Sequence, residues 1–304
     1  MAEQLQSQVI TGPTPGPHLL ITGGVHGDEF EPIAAIRKLR AAIGETIHRG
    51  RVTLVPCVNE EAFLRGRRCA SDELDLARTC PGRSDGSITE QTAAALSELI
   101  RDADYYIDLH TGGTEFAIFP LAGYVLHANV EVLNEQRHMA KAFNLPVVWG
   151  TSPNLEGRSL SVARDADVPA IYCEYGGAAV CSSDGVAAYV QGCLNVMAML
   201  EMINVVTPEC RIRHTVEDSR SDSGHLQVCH PSAVDGYFEA AVELGQHVVK
   251  GSPLGTVVGL SDNSVHVVDS DHTGIVLLLR TFPRVRAGDS VGVVMEVPLS
   301  DSAT

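Results

Sequence analysis

The sequence predicts an α/β fold: a mixed, mainly parallel sheet with helices on both faces, followed by a small C-terminal β-barrel or sandwich. Three observations predict it. Apolar strand patterns run into glycine turns at "LLITGG", "YYIDLHTGG" and "AIYCEYGG". Apolar residues at helical spacing recur among them, as in "PIAAIRKLRAAI" and "VEVLNEQRHMAKAFN", which is the rhythm of strand, helix, strand crossovers. From about Cys210 the chain changes to short Val/Ile-rich runs separated by glycines, the pattern of small sheets with tight turns. The division expected is 1–207 for the α/β part and 208–304 for the β-rich part, with the boundary in the polar stretch "TPECRIRHTVEDSRSDSG".

Composition narrows the function classes. At 304 residues, 44% hydrophobic and 20% charged, the chain can bury a real core. Its formal net charge of -16 argues against a nucleic-acid partner, which requires a basic face. No apolar run approaches the roughly 18 residues of a membrane span. The start "MAEQLQSQVITG" lacks a basic segment followed by an apolar block, so a cytoplasmic protein is expected. Eight cysteines without a CxxC pair read as free thiols rather than a disulfide frame.

Taken in order, "TGPTPGPH" reads as a turn-rich lead-in, and the first strand opens at Leu19. Pro32 suits the first turn of the helix that follows. "RVTLVPCVN" is a second strand. The segment "NEEAFLRGRRCASDELDLARTCPG" shows no clear period and reads as a long charged loop, either solvated or functional. Ser87 and Glu90 form a capping-box signature before "ITEQTAAALSELIRDA". Then come a strand ending at His110, a strand or hairpin in "FAIFPLAGYVL", a helix, the short strand "PVVWG", a helix in "EGRSLSVARDADV", a strand from Ala170 to Cys173, and the long apolar helix of "SSDGVAAYVQGCLNVMAMLEMI".

The chemistry concentrates where strands meet glycine turns, the edge at which open α/β sheets bind ligands. His26 and Glu29 lie just after one strand, and His110 ends another. Either histidine alone reads as a satisfied loop residue. Together with Glu29 they make the two-His, one-Glu donor set of catalytic zinc sites, with a fourth position left for water. Glu174 stands before a third Gly-Gly pair, as either a general base or a surface glutamate at a strand terminus. Asp108, two before His110, is either a turn residue or a carboxylate that orients a ligand.

The motifs "GGVHGDE", "DLHTGG" and "CEYGG", in this order and spacing, resemble the succinylglutamate desuccinylase/aspartoacylase family of the zinc carboxypeptidase A-like fold. The resemblance covers essentially the whole chain. It implies one Zn2+ per chain held by His26, Glu29 and His110, with Glu174 as the catalytic glutamate. "NEEAFLRGRR" matches the family's "NPxA" with its following arginine, which puts the carbonyl-polarising role on Arg68. "DLAR" matches "DLNR" and makes Arg78 the carboxylate-binding arginine. A looser match in "GRSL" adds Arg158 as a substrate contact. Two departures stand out: Glu60 replaces the proline of "NPxA", and Ala77 replaces the asparagine of "DLNR", removing an amide that helps to grip a substrate carboxylate. The implied activity is hydrolysis of the amide bond in a small N-acylated amino acid or related compound, such as acetyl-diaminobutyrate. The alternatives are a metallocarboxypeptidase and a non-catalytic metal-binding module. Homo-oligomerisation is left open.

In the last third, "GYFEAAVELGQHVVKGSPLGTVV" and "DHTGIVLLLRTFPRVRAGDSVGVV" resemble the two halves of a lipoyl or biotinyl carrier. A carrier needs a lysine at a hairpin tip. The expected tip, "LSDNSVH", has none, and Lys250 sits in another turn. A wall beside the zinc site is the role expected of these strands, since pockets favour domain interfaces.

Overall fold

The computed structural model describes residues 5–297 apart from Thr207, Asp222, Gln227, Val228 and Asp262. The chain runs β1 (Gln8–Thr11), β2 (Thr14–Thr22), α1 (Phe30–Ile43), β3 (Arg49–Val55), α2 (Glu60–Arg65), α3 (Ile88–Arg101), β4 (Tyr105–His110) and β5 (Phe116–Val125). It continues with α4 (Val130–Phe143), β6 (Val147–Thr151), α5 (Ser159–Asp165), β7 (Ala170–Gly177) and α6 (Ser183–Met199). Eight strands follow: β8 (His214–Glu217), β9 (Gly236–Ala240), β10 (His247–Val248), β11 (Pro253–Gly259), β12 (Val265–Asp269), β13 (Gly274–Arg280), β14 (Arg284–Val285) and β15 (Gly292–Glu296).

The large sheet is mixed, with parallel pairing through β3, β2, β4 and β7. Its strands are buried on both faces, so β2 reads as a continuous apolar run rather than an alternating one. Leu19 and Ile21 face a core built with α1, α4 and α6, while Leu20 faces one built with α3 and α5. Parallel strands joined by crossovers all point the same way. The carboxyl ends of β2, β4 and β7 therefore open on one edge.

Four details depart from the sequence reading. The lead-in contains β1, which pairs antiparallel with β3 as an edge strand; such a strand needs backbone partners more than apolar side chains. The long charged loop contains α2, whose first turn is capped by Asn59 Oδ1 accepting from the Ala62 N–H at 3.1 Å. Glu60, the family's proline position, is the first residue of that helix, where an acidic side chain favours the helix dipole as proline would favour the turn. Strand β7 continues past Cys173 to Gly177, because Gly176 and Gly177 pair with Ile118 and Ala117 of β5.

Beyond residue 207, which lies outside the described residues, β8 extends the large sheet beside β6. Strand β13 pairs with β5 and carries β10 and β15. Strands β12, β11, β9 and β14 form a separate four-stranded sheet. Phe238, Leu254 and Val257 of that sheet share a core with Val276, Leu279 and Val294 from β13 and β15. The hairpin tip between β11 and β12 includes Asp262, outside the described residues. Lys250 is exposed between β10 and β11. All eight cysteines are free. Among the described residues no helix is long and apolar enough to cross a membrane.

Candidate functional site

The turn after β2 brings His26 back under the sheet edge and ends at Glu29, the residue before α1. Gly27 is required there: a Cβ on it would sit 2.0 Å from the carbonyl carbon of Ala62 in α2. His110 closes β4, and its register partner on β7 is Glu174. The Tyr189 hydroxyl of α6 donates to the His110 carbonyl and holds that strand end in place.

These elements converge. His26 Nδ1 lies 2.6 Å from Glu29 Oε1, and His110 Nδ1 lies 3.1 Å from Glu29 Oε2. The ligand-capable atoms of the three residues all fall within 4.8 Å of one another. Glu29 is 1% exposed. Burial pushes its carboxyl up, but His26 and His110 outweigh that and hold it well below the usual carboxylate range.

Each imidazole is backed by a carboxylate on its other nitrogen. Asp108 Oδ2 lies 3.1 Å from His110 Nε2, and Asp75 Oδ1 lies 3.1 Å from His26 Nε2. With N–H at Nε2 donating outward, both Nδ1 lone pairs face Glu29, the arrangement that prepares histidines for a cation. Asp108 is completely buried and also accepts from Thr22 Oγ1 at 2.8 Å and Ser159 Oγ at 2.5 Å. Burial lowers the affinity of the His110 ring for a proton, yet Asp108 and Glu29 prevail and raise it well above the ordinary histidine value. A buried cluster that demands positive charge, built from two histidines and a carboxylate, fits a divalent cation, which can take the place of the proton.

Around this cluster lies a cavity of about 100 Å³. Glu174 lines it; its Oε2 is buried with no hydrogen-bond partner among the described residues. Burial pushes the Glu174 carboxyl up to about 8; His110 and Arg68 oppose that and Glu29 adds to it. Arg68 reaches the rim of the cavity, with Nε and Nη2 donating to Asp75 Oδ2 at 3.2 and 3.0 Å. Arg78 and Arg158 also line the cavity. Both Arg158 terminal nitrogens donate to the Gly224 carbonyl at 3.3 Å. Burial lowers the Arg158 guanidinium to about 10, and the neighbouring charge of Arg78 adds to that. Phe116, Ile118, Leu226 and Leu278 supply an apolar side.

Seven of the residues singled out from the sequence (His26, Glu29, Arg68, Arg78, His110, Arg158 and Glu174) line this one cavity, and the eighth, Asp108, contacts His110. Sequence reasoning passed over Asp75, although it heads the "DLAR" segment, and Tyr172, which projects from β7 on the same side as Glu174. It also could not foresee Gly224, Leu226 and Leu278, which arrive from the C-terminal third.

The fold and this site define an α/β protein with a cation-ready cluster at the carboxyl edge of its parallel strands. Residues 15–200 match the succinylglutamate desuccinylase/aspartoacylase catalytic domain. The chain is 31% identical over 293 residues to the N-alpha-acetyl-L-2,4-diaminobutyric acid deacetylase of Halomonas elongata, covering 93% of this chain and 83% of that protein. The product-bound structure of the ectoine utilization protein EutE (DoeB) from Ruegeria pomeroyi is similar with a TM-score of 0.83 at 28% identity, covering 96% of this chain and 88% of that one. A succinylglutamatedesuccinylase/aspartoacylase structure from Rhodobacter sphaeroides gives 0.85 at 27% identity, with 96% and 89% covered. The chain belongs to the succinylglutamate desuccinylase/aspartoacylase family.

Proposed function

We propose that this chain is a zinc-dependent deacylase that hydrolyses the amide bond of a small N-acylated amino acid. The observation that carries the proposal is one small cavity holding the His26–Glu29–His110 cluster, the partnerless carboxylate oxygen of Glu174 and three arginines. The name of the Halomonas relative, a deacetylase of an acetylated diamino acid, supports the reading.

His26, Glu29 and His110 would hold one zinc ion, which when bound supplies Lewis acidity to a carbonyl oxygen and to water. The chain's own groups do the rest. Glu174, its carboxylate oxygen unengaged, takes a proton from the attacking water and passes one to the leaving amine nitrogen. Arg68, fixed by two bonds to Asp75, donates to the carbonyl oxygen as negative charge gathers there; a donor held in advance of the reaction is typically worth about 3 to 4 kcal/mol of barrier. Arg78 disfavours the charge on Arg158, as Arg68 does that on Arg78, and a substrate carboxylate beside these guanidiniums relieves the repulsion. Arg78 and Arg158 compensate for Ala77, which offers no side-chain amide. The cavity suits a small acylated amino acid better than a peptide chain. In this reading residues 1–207 carry the chemistry, and residues 208–304 close the cavity through Gly224, Leu226 and Leu278.

The test is a panel of N-acyl amino acids, including N-acetyl-diaminobutyrate and N-succinylglutamate, assayed on zinc-loaded protein beside blocked dipeptides. Release of the free amino acid is expected. Cleavage confined to the peptides would replace this reading with a carboxypeptidase, and cleavage of nothing would replace it with a binding module.

A further inference from the structure

We infer that Asp75 is a positioning residue that ties the orientation of the metal-binding imidazole His26 to that of the guanidinium Arg68. The inference rests on the proposed deacylase reading for the role of Arg68, but not for the contact to His26.

The geometry is that of one carboxylate divided between two duties. Oδ1 faces His26 Nε2 at 3.1 Å and also accepts from the Ala77 N–H at 2.9 Å. Oδ2 accepts from Arg68 Nε at 3.2 Å and Nη2 at 3.0 Å. The bond to Ala77 starts the short helical turn Leu76–Arg78 that presents Arg78 to the cavity. His26 and Arg68 come from different loops, and Asp75 contacts both. A shift of Asp75 to favour one partner lengthens the contact with the other. The outward carboxylate on a ligand histidine sets its tautomer and direction, and a paired carboxylate does the same for an arginine through charge-assisted bonds. The bland reading is that Asp75 merely caps the turn, which aspartate and asparagine do about equally well.

That equivalence supplies the test. Asp75→Asn keeps an oxygen for the Ala77 N–H. Because that oxygen also serves His26 Nε2, the amide nitrogen faces the donors of Arg68: the Arg68 contact is lost, and His26 keeps a neutral acceptor in place of a carboxylate. Zinc affinity is measured by competition with a chelator, a readout that needs no substrate. Turnover is measured separately at saturating zinc, and thermal stability on the zinc-free protein.

The expected result is unchanged thermal stability, with either zinc affinity weakened about 10- to 100-fold or kcat lowered while KM moves little. In an Arg68→Ala background the kcat penalty of Asp75→Asn should largely vanish, because its target is gone, whereas any zinc penalty should persist. Wild-type zinc affinity together with wild-type kcat in Asp75→Asn reduces the residue to a cap and overturns the inference. Fully additive kcat penalties for Asp75→Asn and Arg68→Ala overturn it as well. Should the asparagine variant not fold, Asp75→Ser serves in its place, since serine caps the turn but reaches neither partner. If the wild-type protein hydrolyses no N-acyl amino acid, the deacylase reading fails, while a loss of zinc affinity in Asp75→Asn would still uphold the His26 half of the link.

Discussion

Two histidines flank the same strand with opposite outcomes. His18 lies within β2, and His26 lies just past its carboxyl end; both are almost fully buried, and both have carboxylates and an arginine nearby. At His18 the protein answers both ring nitrogens. Nδ1 lies 2.9 Å from the Asp102 carbonyl oxygen and 3.0 Å from Arg51 Nη2, bonding one or the other according to tautomer, and Nε2 lies 2.8 Å from the Thr53 hydroxyl. At His26 only the outward nitrogen is spent on a carboxylate of its own. The inner one shares Glu29 with His110, so the donors of three residues crowd one point. Function here follows from convergence of donors, while residue type and burial alone make a well-satisfied structural histidine.

The sharpest way to break this comparison is to remove a converging donor. His110→Ala should strip the chain of zinc and reduce turnover to background, since a carboxylate and one imidazole are left. Metal content by atomic absorption beside turnover is the check. Stoichiometric zinc in this variant would move the site elsewhere. Glu174→Gln should cost less, roughly 100- to 10,000-fold in kcat, with zinc content near wild type because Glu174 is not in the donor cluster. As the proposed base, Glu174 must be ionised to work, so turnover should fall as pH falls. A bound cation lowers a neighbouring carboxyl pKa, so this acid limb should lie below the value of about 8 that burial sets. Zinc lost along with activity would instead make Glu174 a ligand.

A smaller effect is expected one step further from the cluster. Arg158→Ala should raise KM for a carboxylate-bearing substrate by about 10- to 100-fold, the range of one charge-assisted hydrogen bond worth about 1.5–3 kcal/mol. An acyl substrate whose carboxylate is amidated should show little change between wild type and variant. Equal losses on both substrates would make Arg158 a structural strut for the Gly224 carbonyl.

What the sequence allowed to be read divides along the same line as the two histidines. His26, Glu29, His110 and Glu174 were legible because each stands at a strand and glycine junction, a local pattern that sets which edge a side chain reaches. That the sheet is mainly parallel was legible from the same rhythm. Asp75 was not, because it sits in a stretch without period, where the six-residue helix α2 and a single helical turn are too short to show one. The antiparallel join of β13 to β5 was not legible either. It pairs Leu278 with Ile118, and nothing in either strand names a partner so far along the chain. The apolar wall of the cavity depends on that pairing, so its residues could not be chosen in advance, even though a wall from this region was expected.

The smallest expected effect on activity falls at His18, and it tests the other half of the comparison. His18 lies toward the end of the sheet opposite the cluster, bridging β2 to Thr53 of β3 and to Asp102 after α3. His18→Ala removes a partner of the Thr53 hydroxyl, on a residue that is 5% exposed. Leaving a buried hydroxyl unsatisfied costs about 1–3 kcal/mol, and the lost ring volume adds to that. Denaturant unfolding should therefore show a lower midpoint with little change in slope, because the surface exposed on unfolding is nearly the same. The proposed metal site draws nothing from this corner, so zinc content and kcat/KM should stay at wild-type values at a temperature where the variant is folded. His18→Gln, which can still offer polar atoms to Thr53 and Asp102, should recover part of the stability. Loss of zinc in folded His18→Ala would show that the two ends of the sheet are mechanically coupled, and the distinction between a satisfied and a converging histidine would then fail.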